Sequence, residues 1–92
     1  MAKRISIENI RLTSGARDDL LFWQKTSPKT VEKINRIIEA IIEEPSKGIG
    51  KPEKLKYELT GLWSRRINHK DRIVYEIDGD TLIVLQLRDH YA

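Results

Sequence analysis

RIVYEIDGDTLIVLQLR, residues 72–88, is the stretch on which the fold turns. Two apolar runs rich in β-branched residues flank Asp78-Gly79. An Asp-Gly pair in that setting supplies the left-handed backbone that a tight hairpin turn needs. The stretch therefore predicts two antiparallel strands, over residues 72–77 and 81–88. LWSRRIN, residues 62–68, predicts a strand before them. The rough alternation of Ile5, Ile7 and Ile10 predicts another over residues 5–12.

Between the first strand and the later ones the apolar period becomes helical. Ser14 is expected to cap a helix over residues 15–24, with Asp18 and Asp19 near its positive end. Leu20, Leu21, Phe22 and Trp23 are too many apolar residues for one narrow stripe, so part of this helix should lie deep. Ser27 and Pro28 open a second helix, as N-cap and first helical residue. Val31, Ile34, Ile38, Ile41 and Ile42 follow at helical spacing, and Pro45 ends the run. Residues 46–53, with Gly48, Gly50 and Pro52, read as a loop. The order β-α-α-β-β-β implies an α+β fold: two helices packed on one face of a mainly antiparallel, twisted sheet.

The chain has 92 residues, so one domain over 1–92 is expected. It is 39% hydrophobic and 34% charged, a composition suited to a small core under a heavily charged surface. It has no cysteine, which excludes disulfides, a thiolate nucleophile and cysteine zinc sites, and which fits a reducing cytoplasm. No apolar run reaches bilayer length, and the first residues lack the apolar core of a signal peptide, so no membrane partner is expected. His69 and His90 are not at ligand spacing and no carboxylate cluster joins them, so neither metal nor other cofactor is expected.

The net charge of +3 is unevenly spread. Residues 45–72 hold eight Lys or Arg against three acids, a local balance of +5. Nucleic-acid phosphate is the natural anionic partner for such a segment, and a solvated strand face is the plainer alternative. Lys51 and Arg65 belong to this basic spread. Arg65 and Arg66 must point to opposite sheet faces, and parity alone does not say which one reaches a ligand. Trp63 is expected to anchor the core with its indole. Glu53 is an isolated acid among lysines: a surface ion-pair partner, or a base. His90 and Tyr91 lie at the end of the chain, and a histidine there could exchange protons near neutral pH.

The motifs KGIGKPEKLKYELTGLWSRRINHKDRIVYEI and the terminal HY closely resemble the YoeB/Txe toxins of bacterial toxin–antitoxin modules, within the RelE superfamily. FWQKTSPKTVEKINRII resembles the helical region of that family, and the likeness covers about residues 12–91. The resemblance implies a microbial-ribonuclease-like fold and a ribosome-dependent mRNA endonuclease, one that cuts mRNA in the ribosomal A site and stops translation. It implies a YefM/Phd-like antitoxin that blocks the toxin, operator DNA bound through the pair, and a homodimer as a possible state. By motif, Glu53 corresponds to the general base, Arg72 to the phosphate-binding arginine, His90 to the general acid and Tyr91 to a substrate-holding residue. Lys56 and Arg66 match further basic positions toward the phosphate or the RNA. Two positions depart from the family pattern: Ala92 follows the tyrosine, and Asp89 stands where an aromatic residue is common.

The residue types suit the chemistry. Metal-free RNA cleavage needs a base for the ribose 2′-OH, an acid for the departing 5′-oxygen and cations for the phosphorane. Its product is a 2′,3′-cyclic phosphate or the opened 3′-phosphate. Hairpin parity adds a condition. With Asp78 and Gly79 as a two-residue loop, Arg72 shares its face with Tyr91 rather than His90. Bringing His90 to Arg72 needs an odd loop, a bulge or a tail that leaves the strand, and the last is expected because Asp89 is a poor strand residue. Two other functional readings compete: a module that binds RNA, ribosome or DNA without cutting, and a gyrase-directed toxin of the same superfamily. Relatives directed at gyrase generally lack the base-and-acid set.

Overall fold

The computed structural model describes residues 6–89. The elements are β1 (Asn9–Leu12), α1 (Ser14–Thr26), α2 (Pro28–Glu43), β2 (Glu53–Lys54), a 3₁₀ turn (Tyr57–Leu59), β3 (Trp63–Arg66), β4 (Arg72–Asp78) and β5 (Thr81–Gln86). The five strands form one sheet in the order β1-β5-β4-β3-β2. Every neighbouring pair is antiparallel except β1 with β5, where Asn9 to Leu12 run parallel to Thr81 to Val84.

The helices begin where side chains satisfy their first amides. For α1 the cap is Thr13, one residue before the expected Ser14: its hydroxyl accepts from the Ala16 N–H at 3.2 Å. The same hydroxyl donates to the Leu85 carbonyl at 3.1 Å, so one side chain caps the helix and ties it to β5. Ser27 caps α2 by accepting from the Thr30 N–H, and Pro28 follows as its first residue. That helix stops at Glu43, two residues before Pro45, whose ring disfavours helical backbone in the residue before it.

Both helices cover one face of the sheet. Ala16, Ile34, Ile37 and Ile41 pack with Ile73, Tyr75, Leu82 and Val84 in a continuous core. Val31, Ile38 and Ile42 from the expected stripe are half-buried beside it, while Ile37, which the stripe omits, is fully buried. Leu20, Trp23 and Trp63 pack against this core from its margin.

The hairpin differs from expectation in detail. Asp78 pairs with Thr81, so the two turn residues are Gly79 and Asp80, and Gly79 takes a φ of 62°. The register slips between Val74 and Tyr75: Tyr75 pairs with Val84 but Val74 pairs with Gln86. Leu85 is thus the extra residue of a bulge. Its carbonyl takes the Thr13 hydroxyl described above. β5 ends at Gln86 rather than near Arg88. β3 is shorter than residues 62–68 because Ile67 and Asn68 turn away, both donating their amides to the Asp71 carbonyl. β2 lies where a loop is expected; it is two residues long and made of Glu and Lys, which carry little strand propensity.

Candidate active site

Cross-strand register decides which side chains meet. Directly opposed residues in an antiparallel pair share a face. Glu53 lies opposite Ser64, and Arg66 lies opposite Arg72. Ser64 and Arg66 are two apart on β3, so all four sit on the same face. Ile73 and Tyr75, of the opposite parity on β4, point into the core beneath the helices. Glu53, Arg66 and Arg72 therefore share the face away from the helices. Glu53 and Arg66 are exposed there; Arg72 is partly buried, with its Nη1 out of contact with solvent.

The Arg66–Arg72 pair is costly on its own. Like charges directly opposite in a sheet oppose folding. An anion between them removes that repulsion, and a phosphodiester carries the charge and the acceptor oxygens to do so.

The loop before this face is held from below. Arg65, expected among the RNA-contacting residues, is fully buried instead. Its register partner is Ile73, which places it on the helix side. There its guanidinium donates to the carbonyls of Glu44 at 2.7 Å, Lys47 at 2.9 Å and Ile49 at 3.2 Å, and to the Tyr75 hydroxyl at 3.1 Å. It pins residues 44–49 and has no surface to offer an RNA. Gly50 then approaches the strand closely: its carbonyl accepts the Arg66 N–H at 2.6 Å. Lys51, exposed and at a φ of 52°, and Glu53 follow directly from this anchored point.

Lys56 is exposed at the start of the 3₁₀ turn, three residues beyond Glu53. Lys54 faces the other way, with its ammonium 5.6 Å from the Trp63 ring centre. A cleft of about 420 Å³ lies between α2 and the loops, lined by Lys33, Ile37, Ile49, Lys51, Arg66 and His69 among others. It reaches Arg66 but neither Glu53 nor Arg72.

His90 and Tyr91 lie outside the described residues. The chain leading to them is tied down at three successive residues. The Leu87 amide donates to the Asp19 carboxylate at 3.0 Å, and the Leu87 carbonyl accepts the Trp23 indole N–H at 2.7 Å. The Arg88 guanidinium stacks 3.5 Å from the centre of the Phe22 ring. Asp89 donates its amide to the Asp71 carboxylate at 2.7 Å, and its carbonyl accepts the Arg72 amide at 3.0 Å. The anchoring roles of Asp71 and Asp19 are not legible in the sequence. The one hint is an Asn and an Asp three apart in NHKD, side chains that organise turns.

Among the described residues, no group of three or more His, Asp or Glu is placed to hold a metal ion. No helix among them is long and apolar enough to cross a membrane.

Known proteins resemble this chain in sequence and in fold. The family model for the YoeB-like toxin of bacterial type II toxin–antitoxin systems matches residues 12–91. A YoeB toxin from Escherichia coli is 47% identical over 74 residues, 80% of this chain and 88% of that protein. A YoeB/ParE toxin structure from Agrobacterium tumefaciens superposes with a TM-score of 0.89 at 43% identity, covering 91% of this chain and 100% of that one. YoeB of Staphylococcus aureus, solved as a dimer and in complex with YefM, superposes at 0.84 with 42% identity over 90% of this chain and 97% of that one. With the family model spanning most of its length and relatives above 40% identity, this chain belongs to the YoeB-like toxin family of bacterial type II toxin–antitoxin systems.

Proposed function

We propose that this protein is a ribosome-dependent mRNA endonuclease of a toxin–antitoxin module, acting in the cytoplasm as a single toxin domain. The observation that carries the reading is the placement of Glu53, Arg66 and Arg72 on one face through two cross-strand pairs. A carboxylate and two guanidiniums on one sheet face match a phosphodiester flanked by a 2′-OH.

In this reading Glu53 takes the proton of the ribose 2′-OH, and the alkoxide attacks the adjacent phosphorus. Arg72 and Arg66 neutralise the phosphorane oxygens, and Lys56 and Lys51 hold the flanking backbone. The proton for the departing 5′-oxygen comes from His90, with Tyr91 holding the substrate. The P–O5′ bond breaks and a 2′,3′-cyclic phosphate remains. Positioning supplies much of the rate; the ribosome holds the message for it.

A YefM-like antitoxin and a second copy of the chain are the protein partners this reading takes from the Staphylococcus aureus structures. With the antitoxin, the toxin binds operator DNA. The test is cleavage of a defined mRNA on programmed 70S ribosomes, with the ends mapped and the 3′ phosphate identified. Wild type should cut at the A-site codon, and adding the cognate antitoxin should stop it. Intact message on programmed ribosomes would overturn the reading, and altered DNA supercoiling by purified gyrase would favour the gyrase-directed alternative.

A further inference from the structure

Asp71 does more than shape the β3–β4 turn. It is buried although charged, 5% exposed, and its two carboxylate oxygens have separate duties. Oδ2 accepts the Asn68 side-chain amide at 2.9 Å. Oδ1 accepts the backbone amide of Asp89 at 2.7 Å, eighteen residues on in the chain. Asn68 is held in turn: its Oδ1 accepts the amides of Lys70 at 2.8 Å and Asp71 at 2.7 Å. The turn is therefore a preorganised acceptor aimed at the tail.

The tail is bound at that point by both of its backbone polar groups. The Asp89 carbonyl accepts the Arg72 amide and the Gln86 side-chain amide, each at 3.0 Å. The residue sits at a φ of 64°. Left-handed backbone is costly for most side chains and mild for Asp. This conformation bends the chain beside Arg72, and the next residue in the sequence is His90. A turn with an ordinary role would need neither the buried charge nor the long-range contact.

We propose that Asp71 is a positioning residue: its carboxylate latches the Asp89 amide beside Arg72 and so sets the point from which the chain delivers His90 to the phosphate. The proposal rests on the functional reading above and adds a residue to it. Asp71 does not touch the substrate; it acts through the tail.

The pattern of donors and acceptors supplies a sharp test. In Asp71→Asn, one oxygen becomes an NH₂. That group must face either the Asn68 NH₂ or the Asp89 N–H, donor against donor, so the variant loses either the latch itself or the Asn68 bond that braces it. The double variant combines Asn68→Asp with Asp71→Asn. Its new carboxylate at position 68 accepts the new NH₂ at position 71 and the backbone amides of residues 70 and 71. The side-chain oxygen left at position 71 is then free to accept from the Asp89 amide. Every hydrogen bond is restored with the roles exchanged. Amide exchange of ¹⁵N-labelled full-length protein and single-turnover cleavage on programmed ribosomes are measured for wild type and both variants.

The single variant should release the Asp89 amide, with exchange faster by about tenfold or more while Tyr75 and Val84 stay protected. Its cleavage should fall by about tenfold or more, and its ribosome affinity should hold within about twofold. The double variant should restore both protection and cleavage. A released Asp89 with undiminished cleavage would overturn the proposal, as would a folded double variant that regains protection but not rate. Failure of wild type to cleave would instead sink the functional reading, and the Asp89 exchange data would still report whether the latch exists.

Discussion

The Arg65 Nε–H donates to the Tyr75 hydroxyl at 3.1 Å, and that hydroxyl donates to the Pro45 carbonyl at 2.8 Å. Two adjacent arginines thus have opposite fates. Arg65 is enclosed in the fold, and Arg66 faces solvent. Arg65→Ala should cost about 3 kcal/mol, since it strips charge-assisted donors from three backbone carbonyls and a buried phenol. Arg66→Ala should change stability by less than about 0.5 kcal/mol and lower cleavage instead. Urea denaturation of both variants checks the contrast, and comparable losses of stability would contradict the assignment of faces.

Burial raises the Tyr75 pKa above its ordinary 10.0, and the hydrogen bond and charge of Arg65 pull it part of the way back. The protonated phenol is therefore favoured by folding. Above pH 10.0 the unfolded chain has given up this proton while the folded chain still holds it. The contribution is complete below the unfolded value and is lost as pH rises through the folded one. Wild-type stability should fall more steeply above pH 10.0 than that of Tyr75→Phe, as read from urea midpoints across the alkaline range.

Gly50 has a φ of 84°, and a Cβ there would lie 3.0 Å from the Arg66 carbonyl and 3.0 Å from the Arg65 Cβ. Gly61 has a φ of 98° but nothing within 4 Å. Gly50→Ala should therefore cost well over about 1 kcal/mol, from backbone strain and crowding together, while Gly61→Ala meets backbone strain alone. Because residue 50 anchors the segment leading to Glu53, only Gly50→Ala should also depress cleavage beyond its effect on stability. Equal thermal shifts in the two variants would refute the argument.

Arg72→Ala should reduce the single-turnover cleavage rate by a factor on the order of 10² or more, with little change in ribosome affinity, because its charge matters most where the phosphorane forms. His90→Gln should show the same pattern at a similar magnitude. Affinity itself should weaken steeply with salt, since it rests on the spread of exposed lysines. Filter binding across an ionic-strength series separates the two effects.

What can be read from the sequence follows from what is local. The hairpin and α2 carry their own signals: Asp78-Gly79 between β-branched runs, and Ser27-Pro28 before a helical stripe. The faces cannot be assigned in advance, because Arg65 and Arg66 alternate and only the helices above decide which one is buried. A bulge and a tail leaving the strand are alternative ways to realign the tail with Arg72 when the hairpin is read from sequence. Both features occur, since β5 shifts its register and then ends at Gln86. At the bulge, Thr13, some seventy residues earlier, donates to the Leu85 carbonyl. No pattern within β5 announces that. The role of Asp71 is hidden for the same reason, as its partner is a distant backbone amide.

The parallel pairing of β1 with β5 also governs when the fold can exist. β5 lies between β1 and β4 and supplies Leu82 and Val84 to the core. It is the last of the five strands among the described residues. Until residues 81–86 have been made, β1 has no neighbour and the face beneath α1 is unfilled. β2, β3 and β4 can pair with one another earlier, but β1 can join the sheet only through β5. Under the proposed activity, the strands that carry Glu53, Arg66 and Arg72 are all made before the strand that completes the core beside them.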